Sequence, residues 1–331
     1  WLALGTSHNG VQVFQADDLT LAPRIFPAGT DVLFHPNSDY LVSGGEVWDI
    51  DNQTRLFEFG EVDFQQFSPD GEILFTAIYF NEYIEFTLWQ ALTGTIISTS
   101  TVETTQNFKQ VIFSDDTSRF AITFRPYDSF STVNSFIEVR DTSDSTLLLS
   151  VEATYSEIDT LTFANEGQQL VFSNINFGLY GSPLSEVVFW DIANQTILQT
   201  IDTDSIEYFI LSPDSKWIFV PQTYSSDAYR IELDTQQVVH LPLGNGIDPN
   251  AVAVQAQYSS DTSYIGIPYH EQTQDTSEQG VILWGVTAVN DFQVSPIKLF
   301  VESSQNAGGI RSIDFSADSS LVAVAYIEQP V

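Results

Sequence analysis

Four histidines, at His8, His35, His240 and His270, and 44 carboxylates are the groups in this chain best suited to move protons or hold a metal. Their spacing supports little of either. The histidines are scattered singly, no His-Glu-x-x-His pair exists for zinc, and no Gly-x-Ser-x-Gly elbow presents a nucleophilic serine. A Gly-rich phosphate loop is missing, and so is cysteine. Asp49 with Asp51 and Asp202 with Asp204 give Asp-x-Asp spacings that suit calcium. Neither pair runs on into an EF-hand loop, so these aspartates read as solvated turn residues. With this many carboxylates, close pairs arise by chance and identify no acid–base couple. His35 stands at a turn position that elsewhere holds Ser and reads as structural. The expectation is therefore a protein with no catalytic residue and no cofactor, calcium being the one ligand the spacing admits.

The elements that carry these residues repeat. A short apolar run, a polar turn and a second apolar run recur seven times. The turns are Phe34-His-Pro-Asn37, Phe67-Ser-Pro-Asp-Gly71, Phe113-Ser-Asp-Asp116, Phe163-Ala-Asn-Glu166, Leu211-Ser-Pro-Asp214, Tyr258-Ser-Ser-Asp261 and Phe315-Ser-Ala-Asp318. Successive anchors lie 33, 46, 50, 48, 47 and 57 residues apart. Within the second repeat, strands are predicted over Val62 to Phe67, Ile73 to Phe80, Tyr83 to Trp89 and Thr95 to Ser98. Four short strands joined by tight turns make one antiparallel meander. Such a unit cannot bury both of its faces alone, so neighbours must stack.

The third strands carry a second signature. Val47-Trp-Asp-Ile-Asp-Asn-Gln-Thr54 and Phe189-Trp-Asp-Ile-Ala-Asn-Gln-Thr196 are near copies offset by 142 residues. Leu88-Trp-Gln-Ala-Leu-Thr-Gly94, Val139-Arg-Asp-Thr142 and Leu283-Trp-Gly285 are weaker versions. In this the chain resembles the WD40-repeat family, in degenerate form and closer in pattern to bacterial members. The resemblance implies an all-β fold, a β-propeller of four-stranded antiparallel blades. Structural roles follow for Trp48, Asp49, Trp89, Trp190, Asp191 and Trp284, with Trp190 expected between adjacent sheets. The family's Gly-His dipeptide is absent, so its buried His-Ser-Trp-Asp network is not expected here. Seven first strands imply seven blades. Both ends supply a second strand (Trp1 to Gly5 and Leu321 to Tyr326), so eight blades in a longer chain is the alternative. The chain reads as one domain, residues 1–331, whose ring is closed by N- and C-terminal strands in a composite blade.

A formal charge of −34, from 44 acidic and 10 basic residues, excludes nucleic acid as a direct ligand, because phosphate binding needs clustered Lys and Arg. No apolar stretch is long enough to span a bilayer, so membrane insertion is not expected. The absence of both Cys and Met, with the acidic coat, fits an extracellular or cell-surface setting. Asn52 and Asn194 open Asn-x-Thr sequons, in turns whose tight geometry by itself favours Asn.

Excess length concentrates between second and third strands, at 125–134, 174–185 and 269–280, with further long loops at 101–107, 244–250 and 303–309. In a propeller these segments emerge on one face. Loops carry function, so Arg125, Tyr127, Phe130, Phe177, Tyr180, Tyr269 and His270 form the expected binding set. The leading expectation is a non-catalytic protein-interaction module acting through this loop-rich face. A structural subunit that self-assembles and a propeller enzyme with a metal or carboxylate site in its central channel are the alternatives.

Overall fold

The computed structural model describes residues 2–6, 10–15, 23–26, 32–37, 39–104, 106–125, 135–153, 156–176, 184–203, 209–221, 227–242, 256–272, 277–285, 297–304, 307–316 and 318–328. Two compact units follow one another along the chain, Trp1–Glu152 and Ala153–Val331. Among the described residues all regular structure is β-strand, and within each sheet strands adjacent in sequence pair with one another.

The first unit opens with a three-stranded sheet, β1 (Leu2–Thr6), β2 (Gly10–Phe14) and β3 (Arg24–Phe26). Three four-stranded meanders follow. One is β4 (Val32–Phe34), β5 (Tyr40–Ser43), β6 (Glu46–Asp49) and β7 (Thr54–Glu58). The next is β8 (Phe64–Phe67), β9 (Ile73–Tyr79), β10 (Tyr83–Gln90) and β11 (Ile96–Glu103). The last is β12 (Asn107–Phe113), β13 (Arg119–Arg125), β14 (Ser135–Asp141) and β15 (Leu147–Ala153).

The second unit has three more meanders. They are β16 (Ser156–Ala164) to β19 (Thr196–Thr203), through β17 (Gln169–Asn176) and β18 (Leu184–Asp191); β20 (Ile210–Leu211) to β23 (Val238–Pro242), through β21 (Trp217–Pro221) and β22 (Asp227–Glu232); and β24 (Gln257–Tyr258) to β27 (Ile297–Ser304), through β25 (Tyr264–Gln272) and β26 (Ser277–Gly285). A two-stranded sheet of β28 (Ala307–Phe315) and β29 (Val322–Glu328) ends it. The seven first strands β4, β8, β12, β16, β20, β24 and β28 all lead into the turns read from the sequence.

Burial follows strand position. The second strands β9, β13 and β21 are buried on both faces, the third strands β10 and β14 alternate, and the fourth strands β7 and β19 are largely exposed. Burial on both faces requires a neighbour on each side. β9 meets the β4–β7 sheet through Leu74 and the β12–β15 sheet through Phe75, and β21 meets the β16–β19 sheet through Ile218 and the β24–β27 sheet through Phe219. Phe75 and Phe86 of the β8–β11 sheet meet Phe120, Ile122 and Phe124 of the β12–β15 sheet in a core rich in aromatic rings. In the second unit Val187 and Phe189 meet Ile218, Val220 and Ile231, while Phe219 and Ala228 meet Ile265 and Ile282.

Five of the tight turns share one device. In Ser68-Pro-Asp-Gly71 the Ser68 hydroxyl accepts the Ile73 amide at 3.0 Å and donates to the Asp70 carboxylate at 2.6 Å, while the Asp70 carboxylate accepts the Glu72 amide at 3.0 Å. Ser114, Ser212, Ser259 and Ser316 repeat it with Asp116, Asp214, Asp261 and Asp318. A short polar side chain thereby satisfies the buried amide at the head of the second strand. His35 takes the serine's place as expected. Its Nδ1 accepts the Asn37 amide at 3.1 Å, so its Nε2 carries the proton and donates to the Gly71 carbonyl of the next turn at 2.9 Å.

Several segments read as loops continue the ladder instead. Tyr269 and His270 lie in β25, opposite Gly280 and Gln279 of β26. Likewise Asn174 to Asn176 lie in β17, and β27 and β28 reach Ser304 and Ala307. An antiparallel ladder satisfies backbone groups whatever the side chains are, so polar residues lengthen these hairpins rather than end them.

Candidate interaction surface

Arg125 closes β13, opposite Asn107, and is exposed. Tyr127, Phe130, Phe177 and Tyr180 lie outside the described residues, and of Tyr269 and His270 only the strand position in β25 is described. The expected binding set is therefore represented by Arg125 alone among described side chains.

The residues that the third strands place are better defined. Trp48, Trp89 and Trp190 each stand at a bulge where the third strand slips register against the fourth. All three are half-buried. For Trp190 this corrects the expectation of burial between sheets, because the fully buried position is its neighbour Phe189. Only Trp89 satisfies its indole N–H, which donates to Thr76 Oγ1 at 2.9 Å; the Trp48 and Trp190 indole nitrogens are enclosed without an acceptor. Trp284 lies in β26 opposite Ile265. Asp49 accepts both the Asn52 amide and its side chain, at 2.8 and 2.9 Å, and Asp191 does the same with Asn194, at 2.8 and 3.0 Å. These bonds hold both carboxyls below the usual range. Asp51 pairs with Arg24 at 2.7 Å. Among the described residues no group of three His, Asp or Glu side chains is arranged to hold a metal.

An arginine occupies one of the degenerate positions. Arg140, in place of the third-strand Trp, is 8% exposed; it pairs with Glu138 at 2.8 Å and donates to the Ser145 carbonyl at 2.8 Å. It substitutes one flat, delocalised group for another, which suits a slot between sheets. In β22 the corresponding place, opposite Ile218, holds Ile231, and Arg230 one residue earlier lies 3.7 Å over the Trp217 ring.

What the sequence did not single out is the tip of the β9–β10 hairpin. The Phe80 amide donates to the Tyr83 carbonyl at 2.9 Å, turning the chain through Asn81 and Glu82. Tyr79, Phe80 and Tyr83 are 40%, 44% and 36% exposed, the densest group of exposed aromatics among the described residues. Phe80 and Tyr83 stack at 4.4 Å between centroids, and Tyr79 stacks on Phe108 of the next sheet at 5.5 Å. Phe108 in turn contacts Phe64, at 4.8 Å, and Phe124. Tyr79 is thus anchored on the neighbouring sheet, and the Phe80–Tyr83 pair stands exposed beside it. The Asp63 carboxylate accepts the Tyr79 amide at 2.7 Å; burial, with the Asp63 charge second, pushes the Tyr79 phenol up. Tyr79 and Tyr83 mark the end of a second strand and the start of a third, the same end of the sheet at which Arg125 closes β13.

No protein-family model matches the chain, and no curated protein matches it in sequence. Solved structures do. The Dos1 propeller is similar over 97% of this chain and 85% of its own, at 14% identity and a TM-score of 0.57. The Cps50 (Swd1) β-propeller domain of Myceliophteria thermophila is similar over 92% and 95%, at 11% identity and 0.53. The hydrazine synthase of Kuenenia stuttgartiensis is similar over 90% and 94%, at 15% identity and 0.51. With the four-stranded meanders, these likenesses place the chain in the β-propeller fold class. A fold shared by an enzyme and by other propellers does not by itself assign chemistry.

Proposed function

We propose that the chain is a non-catalytic protein-interaction module of WD40-like type, extracellular or on a cell surface. It binds through the face where second strands turn into third strands. In this reading it is a single propeller domain of seven blades, with the terminal strands completing one blade. The observation that carries the reading is the exposed aromatic group Tyr79, Phe80 and Tyr83, in which Tyr79 is stacked on Phe108 and Phe80 on Tyr83. Large, rigid aromatics lose little entropy on binding and are enriched at interface hot spots. The acidic, Cys- and Met-free composition supports the location.

A photo-cross-linking residue in place of Phe80 or Tyr83 should capture one discrete protein in the cells that make this chain. The same residue in place of Asp144, an exposed position at the opposite end of the β12–β15 sheet, should not. Equal capture from both positions, or none at the tip, would overturn the proposed face.

A second reading, a subunit that self-assembles, has its own observation. Leu56, Ile96, Leu147, Ile197 and Val238 are exposed on fourth strands, the edges of their sheets. Unpaired edges with apolar residues are templates for strand addition. Sedimentation of the purified protein across a salt series decides: polymers growing with salt support assembly, and a monomer throughout removes it.

A further inference from the structure

We infer that the β9–β10 tip recognises a basic segment, a stretch of Lys or Arg side chains on a partner protein, through the faces of Phe80 and Tyr83 and the carboxylates around them. The inference rests on the proposed interaction face and gives it a ligand chemistry.

Charge complementarity carries the argument. The chain between Arg55 and Lys109 contains eight acidic residues and no Lys or Arg, so the entire β8–β11 sheet lacks a cation. Three of its carboxylates lie at the aromatic end. Glu82 is in the turn itself, Glu103 is the cross-strand partner of Tyr83, and Asp63 holds the Tyr79 amide; all three are exposed. Lys109, Arg125 and Arg140 belong to the neighbouring sheet; Arg140 lies over the Phe86 ring of the β8–β11 sheet and is paired with Glu138. An apolar partner surface would have to approach aromatics through this field and strip water from carboxylates that it could not pair. A basic segment meets both features at once. An ammonium or guanidinium over an aromatic face is attracted by the ring quadrupole, and more strongly once it is desolvated. Carboxylates beside the ring add charge-assisted hydrogen bonds and steer the encounter. The stacked Phe80–Tyr83 pair presents a wide face to such a cation, and its anchoring through the strand ladder keeps that face in place before the ligand arrives.

The test uses the full chain and three fluorescein-labelled peptides, alternating Arg–Ser, Leu–Ser and Glu–Ser, read by anisotropy. Only the Arg–Ser peptide should bind, and more weakly as salt rises. The Phe80→Ala/Tyr83→Ala double variant should bind it about tenfold less tightly, the loss of roughly one cation–π contact with its desolvation. Glu82→Gln should lose a few-fold, Phe80→Trp should retain binding, and the distant Asp144→Asn should bind as the wild type does. Circular dichroism confirms that each variant keeps its strands. Equal binding by the double variant, binding of the Leu–Ser peptide, or no binding of the Arg–Ser peptide would each overturn the inference. If no basic peptide binds while a cross-linker at Tyr83 still captures a protein, the face stands and its cationic chemistry falls. If both fail, the face falls with it.

Discussion

At the fourth position of each of the five serine–aspartate turns the backbone enters the left-handed region. Gly71 does so at φ 78°, but Thr117, Ser215, Thr262 and Ser319 do so at 54°, 53°, 62° and 58°. A residue with a Cβ pays about 1 kcal/mol there. The reason for tolerating it differs from turn to turn. Thr117 uses its hydroxyl to reach Asp70 of the preceding sheet at 2.8 Å. Ser319 accepts the Asp261 amide at 3.0 Å. Gly71 has no such freedom, because an added Cβ would overlap the His35 ring. Gly71→Ala should therefore cost about 2 kcal/mol or more, from strain and a displaced His35. Ser215→Gly should gain about 0.5–1 kcal/mol, while Thr117→Gly should gain nothing, since the relief is offset by the lost hydrogen bond. Urea unfolding of the three variants measures this. A Ser215→Gly protein no more stable than the parent would mean that the turn is not strained.

At the scale of the element, neighbouring residues of one third strand separate packing from register. Phe189 is fully buried between Val187 and the β20–β23 sheet, whereas Trp190 is half-buried at a bulge with its indole N–H unpartnered. Phe189→Ala should cost about 3–5 kcal/mol and Trp190→Ala about 1–2, the reverse of what the conspicuous Trp-Asp pair suggests. Equal losses in chemical denaturation would contradict this burial order. The repeat was legible because turn chemistry is local: Ser, Pro, Asp and Gly at fixed offsets specify the turn without reference to partners. The second and third strands of the β8–β11 sheet fall within a residue or two of their predicted bounds for the same reason. Burial was not legible. Tyr79 and Phe80 continue the apolar run Ile73 to Ala77, and nothing in that run distinguishes an aromatic that enters the core from one left at the tip. Tyr269 and His270 show the converse: polar residues around them read as a loop, yet ladder bonds hold them in strand. Which side of a strand meets a neighbouring sheet is a tertiary fact, and the binding set drawn from loop length missed the aromatic tip accordingly.

For the whole molecule, two electrostatic effects of opposite sign act on stability as acid is added. A charge of −34 repels itself, and protonating carboxylates between pH 7 and about 5 relieves that repulsion, so stability should first rise. The turn aspartates act the other way. Side-chain and backbone donors hold Asp318 down to about 2, mainly Ser316 and then Ser320. In Asp70 and Asp116 burial is the largest single effect and pushes up, but the hydrogen bonds together outweigh it and hold both, like Asp261, below the usual carboxylate range. A carboxyl whose folded value lies below its unfolded value, about 3.9, stabilises the fold fully above that unfolded value. The contribution drains away as pH falls from about 4 towards 2, through the folded value. The melting temperature at low salt should therefore pass through a maximum near pH 5 and fall steeply below 4. Salt separates the two limbs. The Debye length shrinks from about 30 Å at 0.01 M to about 3 Å at 1 M, which removes long-range repulsion. It leaves untouched hydrogen bonds such as Ser316 to Asp318 at 2.6 Å. Raising salt should flatten the rise between pH 7 and 5 and leave the acid limb in place. A melting temperature that keeps climbing down to pH 3 would show that the serine–aspartate turns contribute nothing. A profile indifferent to salt at neutral pH would show that the acidic coat is too dispersed to strain the fold, leaving the recognition of cations as its remaining physical consequence.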